Sequence, residues 1–210
     1  MLGIDDQGRE VLSFIEGKTV GATHPWPAWA WADETLVQAG RIVREYHEAV
    51  RDFRPRGTRT WRLTTAAVTD DEVVCHNDIA PYNLVFRDGR IVGIIDWDLA
   101  SPAMPSWDLA WSAWTFAPIH TPDHASRLGA PLDIARRIRL LCDSYGLQER
   151  DGFLDVLRER MLASIVGIET QAAAGDGAFV RLVKQGHVDR MRDDADWLAD
   201  HGQEWTTAFS

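Results

Sequence analysis

The stretch from Val73 to Asp98, VVCHNDIAPYNLVFRDGRIVGIIDWD, constrains this chain more than any other. Val73-Val74-Cys75 is apolar, and Leu84-Val85-Phe86 and Ile91 to Ile95 are rich in strand-forming residues. Asp88-Gly89 between them is a strong signal for a tight hairpin turn, because both residues tolerate positive φ. The stretch therefore predicts a short strand, a polar loop, and a hairpin whose returning strand ends on an acid. His76-Asn77-Asp78, Asn83 and Asp96 are gathered around that one hairpin.

Their spacing carries chemistry. His76-Asn77-Asp78 is followed after four residues by Asn83, and Asp96 ends the returning strand, which is the H-x-D-x-x-x-x-N arrangement of a phosphoryl-transfer loop with a second acid downstream. An alcohol attacking a γ-phosphate needs a carboxylate to orient it and take its proton, and the polyphosphate needs a divalent ion held by hard oxygen ligands. Asp78 suits the first task, and Asn83 and Asp96 suit the second. An ordinary hairpin with a chance polar loop would account for the short H-x-D alone. It does not account for Asn83, the Asp-Gly turn and the apolar strand leading into Asp96 together.

With Ile94-Ile95-Asp96-Trp97-Asp98 and then Pro105-Ser106-Trp107-Asp108-Leu109-Ala110 following in order, the chain resembles the aminoglycoside phosphotransferase family. These are kinase-like small-molecule phosphotransferases that also include choline and homoserine kinases. Asn77 departs from the pattern, standing where glycine is commoner. The resemblance implies an α+β fold: the mainly helical C-terminal lobe of a protein-kinase-like enzyme, with a catalytic β-hairpin and a remnant N-terminal hairpin. It divides the chain into residues 1–20, a remnant of the N-terminal lobe and hinge, and residues 21–210, the C-terminal lobe, with its catalytic loop and hairpin at 73–98 and a helical subdomain at 107–202. It further implies Asp78 as catalytic base, Asn83 and Asp96 as Mg²⁺ ligands, and His76 and Asp108 as supports of the loop. ATP or another nucleoside triphosphate would be held by the hinge residues Phe14, Ile15 and Glu16 and by Val85. The acceptor expected from the resemblance is a hydroxyl of an amino-sugar or amino-alcohol type of small molecule.

Before Gly17 there is no room for the glycine-rich strand pair that covers the phosphates in such enzymes, and Lys18 lies past the hinge and cannot be the strand lysine. Impaired transfer is therefore expected of this chain. The alternative is a truncated or degenerate kinase-like protein that binds metal-nucleotide or a small ligand without transfer. A hairpin deprived of covering strands also predicts a homodimer, with Val11, Leu12, Phe14 and Ile15 in the contact.

Composition narrows the partners. With 22 basic against 32 acidic residues in 210, a net charge of -10 and no Lys/Arg run, a nucleic-acid or anionic-membrane partner is not expected, and a cationic substrate is weakly favoured. The length suits one well-cored domain. No apolar run reaches transmembrane length and no charged-then-apolar leader opens the chain, so a soluble, cytoplasmic protein is expected. Cys75 and Cys142 lack C-x-x-C spacing and read as buried packing thiols.

Elsewhere the pattern is helical. Apolar periodicity predicts helices over 34–52 (capped by Asp33), from Asp108 onward, and over 133–145, 149–174 and 178–200, closed by Gly146, Gly175 and Gly202. Trp26, Trp29 and Trp31 read as a loop anchor rather than a pocket wall, and Trp107, Trp111 and Trp114 as a buried stripe. His47-Glu48 begins a zinc-protease motif that Arg51 breaks, and Pro118 and Pro122 interrupt the helix that a His120/His124 metal pair would need. Asp193, Asp194, Asp196 and Asp200 read as a solvated helix face, with a cation site as the rival.

Overall fold

The computed structural model describes residues 2–21 and 24–209. Its β-structure consists of short antiparallel pairs. β1 (Gly3–Ile4) pairs with β2 (Glu10–Val11), and β3 (Arg59–Thr60) with β4 (Thr65–Ala66). β5 (Val73–Cys75) is fully buried. β6 (Leu84–Arg87) and β7 (Arg90–Ile94) form the expected hairpin, closed by Asp88 at φ 51° and Gly89 at φ 73°, the left-handed pair that a tight turn demands. The partner of β5 is β8 (Ser101–Ala103), which the sequence did not announce because its centre is Pro102. A two-stranded pair leaves β8 an open edge, where a residue without an N–H is tolerated.

The rest is helical: α1 (Asp33–Ala49), α2 (Pro105–Phe116), α3 (Pro122–Leu128), α4 (Ile134–Tyr145), α5 (Phe153–Ala173), α6 (Gly177–Lys184) and α7 (His187–Phe209). α1 packs on α4, α2 on α5, and α5 and α4 on α7, around a core that includes Leu36, Val43, Phe116, Ile138, Leu157 and Met191. Arg137 ties this body together from within, donating to the carbonyls of Phe116 and Trp31 while itself 1% exposed.

Departures from the periodic reading have local causes. α2 starts at Pro105, whose fixed φ suits a first helical position, so Asp108 lies in its first turn rather than at its opening. The helix expected over 178–200 is broken at Gly186, φ 68°, and the second piece continues through Gly202 because that glycine is buried against Leu198 and Leu154. α3 was not foreseen; Thr121 caps it by accepting the N–H of His124, and Gly129 at φ 68° ends it.

Candidate functional site

β5 delivers the chain into the 76–83 loop, and α2 meets it from below. The Asp108 carboxylate accepts the backbone N–H of His76 at 2.9 Å on Oδ2 and that of Asn77 at 2.8 Å on Oδ1. His47 Nε2 lies 3.1 Å from the same Oδ2, and its Nδ1 is 2.9 Å from the Tyr145 hydroxyl. Burial opposes a charge on Asp108, but the donors from His47 and the loop outweigh it and hold its pKa below the ordinary carboxylate value. Asn77 sits at φ 65° in the left-handed region, which explains why glycine is the commoner residue here. Asparagine succeeds because its amide donates to Leu99 O, Ser101 O and Ser101 Oγ at 3.0–3.3 Å.

His76 sets the loop against the far end of the hairpin. Its Nδ1 accepts the N–H of Asp78 at 3.2 Å, so the proton is on Nε2, which donates to Ile95 O at 3.0 Å, one residue before Asp96. Burial lowers its pKa, so the ring is neutral and acts as a spacer.

Asp78 faces the cleft. Its Oδ1 accepts the Tyr82 hydroxyl at 3.0 Å and its Oδ2 the Asn83 amide at 2.8 Å. Burial pushes its pKa up to about 7 against these two hydrogen bonds, and the charge of Asp96 adds to the rise. The Asn83 amide nitrogen also donates to Asp78 O at 2.9 Å, which turns the amide oxygen away from Asp78. Asp96 is exposed at φ 64°, and no hydrogen bond or ion pair engages its carboxylate among the described residues. The Ile95 N–H donates to Asn83 O at 3.0 Å, which brings the strained, unpartnered acid at 96 near the Asn83 side chain. A carboxylate and an amide oxygen are hard donors of the kind that Mg²⁺ takes.

Three residues of the site escaped sequence reasoning: Tyr82, which donates to Asp78, His47, which meets Asp108, and Arg160. Arg160 lies on the buried face of α5 with Leu157, Met161 and Ile165 and is 8% exposed. Its guanidinium donates to Asn77 O at 2.7 Å and to Ser164 Oγ, and lies 4.7 Å from the Trp111 ring centroid and 5.5 Å from that of Trp107. An arginine inside an apolar stripe was the available signal, since long cations are seldom fully buried without a task.

Of the residues expected at the nucleotide, Val85 belongs to β6 and Ile15 and Glu16 lie against the β6–β7 hairpin. Lys18 exchanges both backbone hydrogen bonds with Phe86 (2.8 and 2.9 Å), which lays the preceding segment along β6. Ile15 covers Gly93, the register partner of buried Val85, and Glu16 reaches Arg87 at 3.8 Å. Phe14 stands apart, 89% exposed.

Two cavities flank Tyr82. One of about 470 Å³ is lined by Asp78, Tyr82, Arg160 and an aromatic wall. The other, about 710 Å³, is lined by Trp26, Tyr82, His120, His124, His187 and Arg190. Trp26 and Trp31 stack at 5.2 Å in a small separate core, so Trp26 is both anchor and cavity wall. Pro118 and Pro122 do not keep His120 and His124 apart: the turn at Thr121 brings their rings to 4.1 Å, and each Nδ1 lies 2.8 Å from Oδ2 of buried Asp194. Asp194 thus leaves the acidic surface group, whose other members Asp193, Asp196 and Asp200 are exposed.

The model of the phosphotransferase enzyme family matches residues 17–140. The trifolitoxin immunity protein of Rhizobium leguminosarum bv. trifolii is 39% identical over 161 residues, which are 74% of this chain and 59% of that protein, so the chain spans little more than half its curated relative. A crystal structure from Ralstonia eutropha JMP134, of a protein provisionally described as an aminoglycoside phosphotransferase, aligns with a TM-score of 0.54 at 18% identity. The match takes in 88% of this chain and 70% of that one, a likeness of fold.

Proposed function

The chain belongs to the phosphotransferase enzyme family, and from that premise we propose that its 76–96 region transfers the γ-phosphate of ATP to a hydroxyl of a small molecule. The observation that carries this reading is Asp78, held by Tyr82 and Asn83 in the lining of a cavity and close enough to Asp96 to feel its charge. In its ionised form Asp78 orients the acceptor hydroxyl and takes its proton on a carboxylate oxygen. Asp108, His47 and Arg160 hold the loop backbone on which that carboxylate is mounted, so little reorganisation accompanies the proton transfer. Asn83 and Asp96 would hold Mg²⁺ through their side-chain oxygens; when bound, the ion neutralises phosphate charge. Ile15, Glu16 and Val85 would contact the nucleotide base, and Phe14, exposed and apart from them, would have to fold onto it.

A second reading, binding of metal-nucleotide without efficient transfer, is supported by Asp96, an exposed acid with no hydrogen bond or ion pair among the described residues. A γ-phosphate transfer assay against a panel of hydroxyl compounds separates the two. Turnover that disappears in Asp78→Asn supports transfer. Nucleotide-enhanced Mg²⁺ binding that is lost in Asp96→Ala, with no turnover above that of Asp78→Asn, supports the second reading, and equal Mg²⁺ binding by the native chain and Asp96→Ala sinks the metal assignment. No described helix is long and apolar enough to cross a membrane. The buried, unpaired thiols of Cys75 and Cys142 suit a reducing compartment, the cytoplasm.

A further inference from the structure

We propose that the phosphate acceptor is an apolar, ring-bearing alcohol without an ammonium group, seated in the 470 Å³ cavity with its hydroxyl on Asp78. The proposal rests on the phosphotransferase reading and names its substrate class. The volume suits a small molecule, and the walls are Leu63, Trp107, Trp111, Ile168, Phe179 and Leu182. Asp78 is the only carboxylate among the lining residues. A polycationic amino sugar is recognised by carboxylates distributed along its amines, and here there are none to spare. The exposed acids of α7, Asp193, Asp196 and Asp200, line a different depression together with Asp123.

An aromatic cavity can also capture a single ammonium by cation–π attraction, and Arg160 closes that route. Its guanidinium already lies over Trp107 and Trp111, at 5.5 and 4.7 Å from their centroids, so a second cation would meet a like charge on the same two rings. With Nη1 bonded to Ser164 and Nη2 to Asn77, Arg160 is held in that place, although its buried Nε has no partner among the described residues. His187, pushed down to about 4 chiefly by burial, brings no charge to the cavity at neutral pH. What remains is a mainly apolar and aromatic lining that favours a ring, with Asp78 as its one carboxylate and Tyr82, Ser101 and Ser164 as its hydroxyls.

Calorimetric titration of the full chain with naphthalene-2-methanol, choline and kanamycin tests this. The naphthyl alcohol should bind saturably at one site, with choline and kanamycin weaker by about tenfold or more. Gly167 lines the cavity, and a Cβ placed on it meets nothing within 4 Å, so Gly167→Leu should fill the space without disturbing α5. In that variant naphthalene-2-methanol affinity should fall about tenfold or more while the thermal midpoint holds or rises. Arg160→Met should narrow or reverse the preference against choline. Tighter binding of choline or kanamycin than of the naphthyl alcohol by the native chain, or unchanged alcohol affinity in Gly167→Leu, overturns the proposal. Asp78-dependent transfer to kanamycin would overturn it while leaving the phosphotransferase reading intact. The predicted binding pattern without any transfer would overturn that reading and leave the ligand class standing.

Discussion

In the base role proposed for it, Asp78 would serve chemistry at the expense of stability. Burial raises its pKa to about 7, so the ionised form needed for proton acceptance dominates only above that value. Transfer should therefore fall as pH drops through 7. The Tyr82 hydroxyl is a hydrogen bond that lowers this pKa, so Tyr82→Phe should shift the acidic limb of the pH–rate profile to higher pH; an unmoved limb would remove Asp78 from the base role. The stability sign runs the other way from that of a salt-bridged acid. Because the folded pKa lies above the unfolded one, ionising Asp78 between about pH 4 and 7 penalises the folded state. Asp78→Asn should abolish transfer and yet raise stability at pH 8, by roughly 1–2 kcal/mol after allowing for altered hydrogen bonds to Tyr82 and Asn83. Urea denaturation of both proteins at pH 8 and pH 4 checks this, the gain being absent at pH 4.

At the scale of elements, close approach and buried hydrogen bonds decide what the helices tolerate. Gly40 lies mid-way along α1 where it crosses α4, and a Cβ there would stand 2.8 Å from Leu141 O. Helix propensity favours alanine by about 1 kcal/mol, but the obstacle is backbone and cannot swing aside, so Gly40→Ala should destabilise by about 1–2 kcal/mol. A melting temperature that rises instead would show that the two helices separate freely. α7 is pinned to the α2–α3 corner by Asp194, which receives His120, His124, Trp114 Nε1 at 3.3 Å and Thr121 N–H at 2.9 Å. Burial works against its charge, yet the histidine hydrogen bonds prevail and hold it near 2. A depressed acid contributes stability above its unfolded pKa and loses it on acidification, so the deficit of Asp194→Asn, about 3 kcal/mol at pH 7, should shrink between about pH 4 and 2. Chemical denaturation across that range measures it, and a constant deficit would mean that the carboxylate's charge is not what binds the corner. Periodicity made the helices legible, and Pro118 and Pro122 marked the interruption between α2 and α3, but the break at Gly186 was not legible, because a single left-handed glycine leaves no period.

On the scale of the molecule, the β1–β2 hairpin and the residues after it carry one group of exposed apolar side chains. Leu2, Ile4, Leu12 and Phe14 are 72%, 59%, 62% and 89% exposed, around strands two residues long. Water against such a strip is unfavourable, and a two-stranded hairpin has little stability of its own. Self-association through it is expected to appear in light scattering as concentration-dependent mass, reduced in Phe14→Ser. A monomer at high concentration with no binding of an apolar dye would refute this.

By itself the sequence determined the local chemistry: the Asp88-Gly89 hairpin, the order of His76, Asp78, Asn83 and Asp96 around it, and amphipathic helices that must bury one face. Each of these follows from residues close along the chain, where φ preference and periodicity act directly. Only the tertiary structure decided which distant groups meet. It set His47 and Asp108, separated by 61 positions, under the loop, put Arg160 over two indole rings, and drew Asp194 out of an acidic surface run to bind two histidines. Such pairings depend on how whole helices cross and on the cost of burying a polar group without a partner, and neither is written in any local spacing.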